Sequence, residues 1–320
     1  RDNLCSKPHP HLASGTIFPA LAKDGLERVS VVAVGGYGRG TLAPGSDIDL
    51  LFILPAKQSV RIQSIVEFIL YCLWDARQKV GHATRSIDEC IRLAKSDNTI
   101  LTATLEARYI CGDQGLFDRL VIDFRREIVS KGAKDFIADK LAERDLRLLK
   151  SGESRYLVEP DVKDGKGGLR DLNTLFWIAK FLYATNSTGE LAEKGAFARD
   201  ELAIFKKCEG FLWAVRCHLH FLSKRGNDRL SFDRQSDIAE RLGYKSHGGL
   251  RHVERFMKHY FLVAKDVGDL TRILCASLEA RQIKDAPSLS RMFGRLIPRA
   301  SGTLANAPAF KLEAGRVVLK

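Results

Sequence analysis

Residues 31–54 read VVAVGGYGRGTLAPGSDIDLLFIL. An apolar strand runs into a glycine turn, a helical turn follows, and a second apolar strand carries Asp47 and Asp49. Alternate residues of a strand face the same way at a spacing of roughly 6.6 Å, so both carboxylates project to one side. Two anions repel by roughly 1–4 kcal/mol at ~4 Å, depending on the local dielectric. A bound divalent cation turns that cost into a ligand set. Few oxygen ligands, with substrate phosphates completing the shell, suit magnesium. A solvated strand edge also tolerates Asp-x-Asp, but Ile48, Leu50, Leu51 and Phe52 mark this strand as buried. A core strand has little structural use for two acids.

The glycines supply the other half. Gly35 and Gly36 end the first strand, where a side chain would block a phosphate. Amides at a helix start form an anion site. Arg39 lies one turn along, and the Ser46 hydroxyl precedes Asp47. A phosphate cradle and an acid pair about a dozen residues apart point to nucleotidyl transfer. In such chemistry metal ions hold the triphosphate and activate a hydroxyl for in-line displacement.

The stretch GGYGRGTLAPGSDIDLL resembles the nucleotidyltransferase signature of the polymerase-β-like superfamily. Its fuller wording resembles the bacterial PII uridylyltransferase/uridylyl-removing family. Three later stretches are similar to that family's helical middle region: YLVEPDVKDGKGGLRDLNTLFWIAK (156–180), RLSFDRQSDIAERLGY (229–244) and VERFMKHYFLVAKDVGDLTRIL (253–274). The likeness covers about residues 29–285 and rests on several separate motifs.

The resemblance implies transfer of UMP from UTP, with Mg2+ or Mn2+, to a tyrosine of a PII nitrogen-signalling protein. Asp47 and Asp49 would be catalytic and bind the metal; Gly35, Gly36, Arg39 and Ser46 would cradle the triphosphate. The choice of uridine and of PII comes wholly from the resemblance. By composition, Glu159 to Asp171 is either a phosphate-binding loop or a surface loop opening a helix. The resemblance favours function there, with Lys163, Lys166 and Arg170 holding nucleotide or orienting the protein substrate. A third carboxylate commonly completes sites of the superfamily on a later strand. Here that segment, Val80 to Arg85, has no acid, and Asp75 and Glu106 are the candidate substitutes. His218, His220, His252 and His259 read as core or surface residues rather than ligands.

The family's uridylyl-removing activity resembles metal-dependent hydrolysis by a His-Asp domain, and no His-Asp dipeptide occurs in the chain. The chain also begins without methionine. The expectation is an N-terminal transferase part lacking the His-Asp and glutamine-sensing regions, able to transfer UMP but not to remove it.

At 320 residues the length suggests about two domains. An apolar fraction of 45% with 28% charged residues is that of a globular protein. No apolar run approaches the ~20 residues that span a bilayer, and no secretory signal is visible. Seven cysteines, odd in number and without C-x-x-C, read mostly as buried free thiols in a reducing cytoplasm. Of the net charge of +12, half lies in residues 281–320, which weighs against a nucleic-acid partner. The rest suits triphosphates and acidic protein surfaces.

The pattern along the chain is α+β. A polymerase-β-like nucleotidyltransferase domain with a mixed sheet (29–135) follows an N-terminal segment (1–28). An all-α domain (136–285) and a basic linker (286–320) come after it. Strands are expected near 30–35, 47–54 and 82–85. A helix is expected at 59–80, stopped by Gly81, and a capping box at Ser86 and Glu89 opens the next. Further helices are expected at 98–111, 114–130, 134–150, 169–184, 199–224, 234–242 and 249–283, with no strand after about 133. Two other functions compete: transfer to a nucleic-acid 3′ end, which predicts steeply salt-dependent RNA binding, and an inactive nucleotide-sensing scaffold, which metal-dependent turnover excludes.

Overall fold

The computed structural model describes residues 28–56, 60–130, 132–151, 157–183, 190–193, 197–282, 302–303, 310–313 and 316–319. The expectations for residues 1–27, Cys5 included, lie outside these. Strand β1 (Ser30–Ala33) is buried throughout, as its unbroken apolar run requires of a central strand. It leads through Val34 into a single helical turn, α1 (Gly35–Gly38), and the chain returns as β2 (Ile48–Leu54). β1 pairs antiparallel with β2, Val32 opposite Leu51. Helix α2 (Val60–Asp75) then crosses over to β3 (Val80–Ser86), which runs parallel to β2. Helices α3 (Ile87–Ser96) and α4 (Asn98–Leu105) precede β4 (Arg108–Gly112), which closes the other side of β1. The sheet order is β3-β2-β1-β4, mixed as the sequence suggests.

Two boundaries differ from expectation. Gly81 does not stop α2; the helix ends at Asp75, where Arg77 takes a left-handed φ of 55° and the Gln78 amide bonds to the Leu73 carbonyl at 2.9 Å. Gly81 instead lies within β3, opposite Asp49. The helix expected over 98–111 stops at Leu105, and Arg108–Gly112 is a strand. A five-residue run is too short to show a period, and its pairing partner β1 lies far off in sequence. The Ser86 hydroxyl does accept from the Glu89 amide, at 3.2 Å, and caps α3.

The faces of the sheet bury different sets. Ala33, Leu50, Phe52 and Leu54 pack with Ile62, Val66 and Leu70 of α2. Val32, Leu51 and Ile53 join a larger cluster through Leu120 and Phe124 of α5 (Gln114–Phe124). That cluster continues into α6 (Ala133–Ser151), α7 (Leu169–Tyr183), the short α8 (Glu190–Glu193), α9 (Arg199–Ser223), α10 (Phe232–Arg241) and α11 (His252–Gln282). The five long helices of this set form within three residues of their expected bounds. Phe136 and Phe181 stack at 4.3 Å, and Phe205, Leu212, Phe256 and Tyr260 complete the packing. One core therefore runs from the sheet into the helical region.

Among the described residues no cysteine is disulfide-bonded; Cys90, Cys208 and Cys275 are buried, whereas Cys72 is exposed on α2. In the segment expected to be a linker without strands, β5 (Gly302–Thr303), β6 (Phe310–Glu313) and β7 (Arg316–Leu319) form a three-stranded antiparallel sheet. The alternation of Phe310 and Leu312 with Lys311 and Glu313 carries that signal, but four residues are too few to stand out.

The loop before α7 hangs on one carboxylate. Asp171 is wholly buried and accepts from Arg144 Nε at 3.1 Å, from the Arg147 guanidinium, and from the Gly167 amide at 2.9 Å. Removing it leaves the part-buried Arg147 guanidinium without an acid among the described residues, and leaves Arg144 only Asp145, at 3.4 Å. Asp171→Ala should destabilise the chain by roughly 3–5 kcal/mol, measurable as a lower urea midpoint.

Candidate active site

Between the sheet and the helical region lies a cavity of about 690 Å³. Gly35, Gly36, Arg39, Ser46, Asp47 and Asp49 line one part of it, and Lys163 and Arg170 line another. Of the residues proposed from the sequence to bind nucleotide or metal, Lys166 is not on its wall; its charge acts on Asp145 instead. Asp75, at the end of α2, is not on the wall either. Glu106 is, but its carboxylate accepts from Arg39.

Asp49 sits on β2 and Asp47 just before it, the first half-buried and the second exposed. Neither carboxylate accepts a hydrogen bond or forms an ion pair among the described residues. Two glycines make room for Asp49. A Cβ on Gly81 would lie 2.7 Å from its Oδ1, and one on Gly35, at a φ of +57°, would lie 3.1 Å from its Oδ2. Burial and the neighbouring Asp47 push the Asp49 carboxyl above its ordinary pKa, and Lys163 partly offsets them.

Oxygen donors, mutual repulsion and no competing protein partner are what a divalent cation needs from a site. No group of three or more His, Cys, Asp or Glu placed to hold a metal occurs among the described residues. The pair therefore fits an ion that takes part of its shell from substrate phosphate and water. Seven lysines and arginines and five acids line the cavity. Glu106 is taken by Arg39 and Glu143 by Lys140, at 2.7 Å for the second pair. Lys79, Arg85 and Lys163 form no ion pair among the described residues.

Residues 16–106 match the family model for a nucleotidyltransferase domain, and residues 135–275 match that for the GlnD PII-uridylyltransferase. The bifunctional uridylyltransferase/uridylyl-removing enzyme of Rhodopseudomonas palustris is 61% identical over 288 residues, 90% of this chain and 31% of that protein. Its counterpart from Bradyrhizobium diazoefficiens is 61% identical over 286 residues, 89% of this chain and 31% of that protein. The chain is thus similar to PII-uridylyltransferases over nine tenths of its own length. It spans 31% of the length of these two relatives.

Several wall residues of the cavity escaped the sequence reading. Trp177 lies on α7 with three cations against its ring: Arg39 and Arg170 at 5.7 Å and Lys140 at 5.1 Å from the centroid. Lys140 is only 3% exposed. Each of the three cations also has an acid, Glu106, Glu143 or Asp164, so the indole face adds a diffuse negative surface to their paired charges. The period of α7 marks Trp177 as core, and nothing in the local sequence shows what gathers on it. His220, read as a core or surface residue, is buried, yet it bonds to Asp228 at 2.8 Å and accepts from the Gly45 amide at 3.1 Å. The glycines of 165–168 serve packing: Gly167 has a φ of +79°, and a Cβ there would lie 2.5 Å from the Ala264 carbonyl of α11.

The raised Asp49 pKa has a definite sign in stability. The folded state holds that proton more tightly than the unfolded state. Ionised Asp49 therefore costs stability progressively as pH rises from the ordinary carboxylate pKa through the folded value. Asp49→Asn should raise the melting temperature of the metal-free chain at pH 7. The gain should shrink as pH falls back through that window. Mn2+ should raise the melting temperature of the parent chain but not of the variant, which thermal unfolding with and without MnCl2 measures.

Proposed function

We propose that the chain transfers UMP from UTP to a tyrosine hydroxyl of a PII signal protein, with Mg2+ or Mn2+ bound by Asp47 and Asp49. The observation that carries this reading is the acid pair, without a partner among the described residues, in a cation-lined cavity of a chain matching both the nucleotidyltransferase and the PII-uridylyltransferase models. The printed names of the relatives supply the uridylyl group. In those relatives uridylyl removal accompanies transfer in a protein of which this chain spans 31%; we assign it to the remaining length. The proposed organisation is a nucleotidyltransferase domain over about 29–135 and a helical domain over 136–285 that presents the acceptor. The proposed setting is the cytoplasm, in keeping with the free thiols; no helix among the described residues is long and apolar enough to cross a membrane.

The chain's own groups divide the work. Gly35 and Gly36 leave the backbone open to the triphosphate, and Arg39, Ser46, Lys163 and Arg170 donate to its oxygens. Asp47 and Asp49 would hold the divalent ion, which when bound would neutralise charge on the triphosphate and the displaced pyrophosphate. The tyrosine oxygen forms a bond to the α-phosphorus, the bond to the bridging oxygen of the β-phosphate breaks, and the phenolic proton is released. Placing these groups in line accounts for the catalysis, because phosphoryl-type transfer gains mostly from positioning and electrostatics.

The test is label transfer from [α-32P]UTP to purified PII protein, with MgCl2 or EDTA and with CTP and ATP as competitors. Metal-dependent labelling that favours UTP and falls at least a hundredfold in Asp47→Asn is expected, the usual scale for losing a group that acts on developing charge. Labelling of RNA 3′ ends in place of PII would overturn the choice of acceptor.

A further inference from the structure

The turn that carries Ser46 into Asp47 is fastened from the helical region. The Gly45 amide donates to His220 Nδ1 at 3.1 Å, so the ring carries its proton on Nε2 and donates to Asp228 Oδ1 at 2.8 Å. Arg216 Nε donates to the same Asp228 oxygen at 2.8 Å, and its Nη2 reaches Asp228 Oδ2 and Ser46 Oγ, each at 3.4 Å. Arg216 is 10% exposed and lies against the Trp213 ring at 5.1 Å, which limits its rotation. His220 and Arg216 sit one turn apart on α9, and Asp228 follows in the loop after it.

Asp228 also faces the other side of the cavity. Its backbone carbonyl accepts from the Val162 amide at 2.8 Å, and the Leu230 amide donates to the Pro160 carbonyl at 2.8 Å. That pairing fixes the segment presenting Lys163, whose charge acts on Asp49. Burial raises the Asp228 pKa, but hydrogen bonds from His220 and Arg216 outweigh it and bring the group to about 2, so the clamp is ionised near neutral pH.

We propose that Arg216, His220 and Asp228 are positioning residues for the nucleotide: from the helical region they set the Ser46–Asp47 turn and Lys163 at the distance the metal-bound triphosphate needs. The inference rests on the reading of the cavity as a triphosphate site. It goes beyond that reading by making a helical-region network, rather than the glycine–aspartate signature alone, determine nucleotide affinity. The acceptor plays no part in it.

The experiment is calorimetric titration of the chain with a Mg2+-loaded, α,β-non-hydrolysable UTP analogue, beside UTP KM and kcat where transfer is measurable. The variants are Asp228→Asn, His220→Asn and His220→Gln, each scored for folding by circular dichroism. An Asn amide oxygen at 220 can still accept from the Gly45 amide, whereas Gln places its amide nearer the Asp228 side. Asp228→Asn and His220→Gln should weaken analogue binding at least tenfold and raise KM more than they lower kcat; His220→Asn should recover part of the affinity. Folded variants that bind the analogue as the parent does would overturn the clamp, as would a fall in melting temperature with KM unchanged. If PII is not labelled but the parent chain binds the analogue and the variants do not, the choice of acceptor fails while the clamp stands. If the parent chain itself does not bind the analogue, the cavity reading fails and the clamp with it.

Discussion

Two carboxylates, Asp47 and Asp49, lie at the start of a core strand with no hydrogen-bond or ion-pair partner among the described residues. The surrounding structure is organised around that constraint. Among the described residues Asp49 gains no hydrogen bond to offset its burial, and Asp47 adds repulsion. Gly35 and Gly81 press close on either side, so any side chain there would intrude on the carboxylate. β2 tolerates the acid because the rest of it is anchored on both faces of the sheet: Leu50, Phe52 and Leu54 against α2, and Leu51 and Ile53 in the larger core. The strand is stable enough to hold a locally unfavourable group, which is the usual relation between a scaffold and a functional site.

The helical region is a wall of the same cavity. Lys140, Lys163, Arg170, Trp177, Arg216 and His220 come from it, and its core is continuous with one face of the sheet. Most of its charges are paired locally, as Arg170 with Asp164 and Arg216 with Asp228. Local pairing holds long flexible side chains in fixed positions before any ligand arrives, which lowers the ordering cost of binding. Lys79, Arg85 and Lys163, which form no ion pair among the described residues, line the same cavity as Asp49 and leave charge available to a polyanion.

What the sequence showed was local. The apolar runs at 31–34 and 50–54, the helical periods after 133 and the glycine–aspartate wording each lie within a window of a few turns, and the structure places strands and helices there. The misreadings share a cause, which is pairing with a distant segment. Arg108–Gly112 becomes a strand because β1 offers it an edge, and Gly81 is a glycine because Asp49 lies beside it in the sheet. Lys166 has the composition of a phosphate ligand but is not on the cavity wall, while its neighbour Lys163 is. The link between His220 and Gly45 crosses 175 residues, and no local pattern encodes it. The histidines at 218, 220, 252 and 259 could not be told apart by spacing, because what distinguishes His220 is its bond to the Gly45 amide beside Ser46 and Asp47.

The most direct measurement is a crystal structure of the chain with Mn2+ and a non-hydrolysable UTP analogue, collected at a wavelength where manganese scatters anomalously. The account predicts an anomalous peak in contact with carboxylate oxygens of both Asp47 and Asp49. The phosphates should lie along Gly35 and Gly36 with Ser46 and Lys163 on their flanks. Manganese elsewhere in the cavity, or triphosphate density with no metal on the two aspartates, would contradict it.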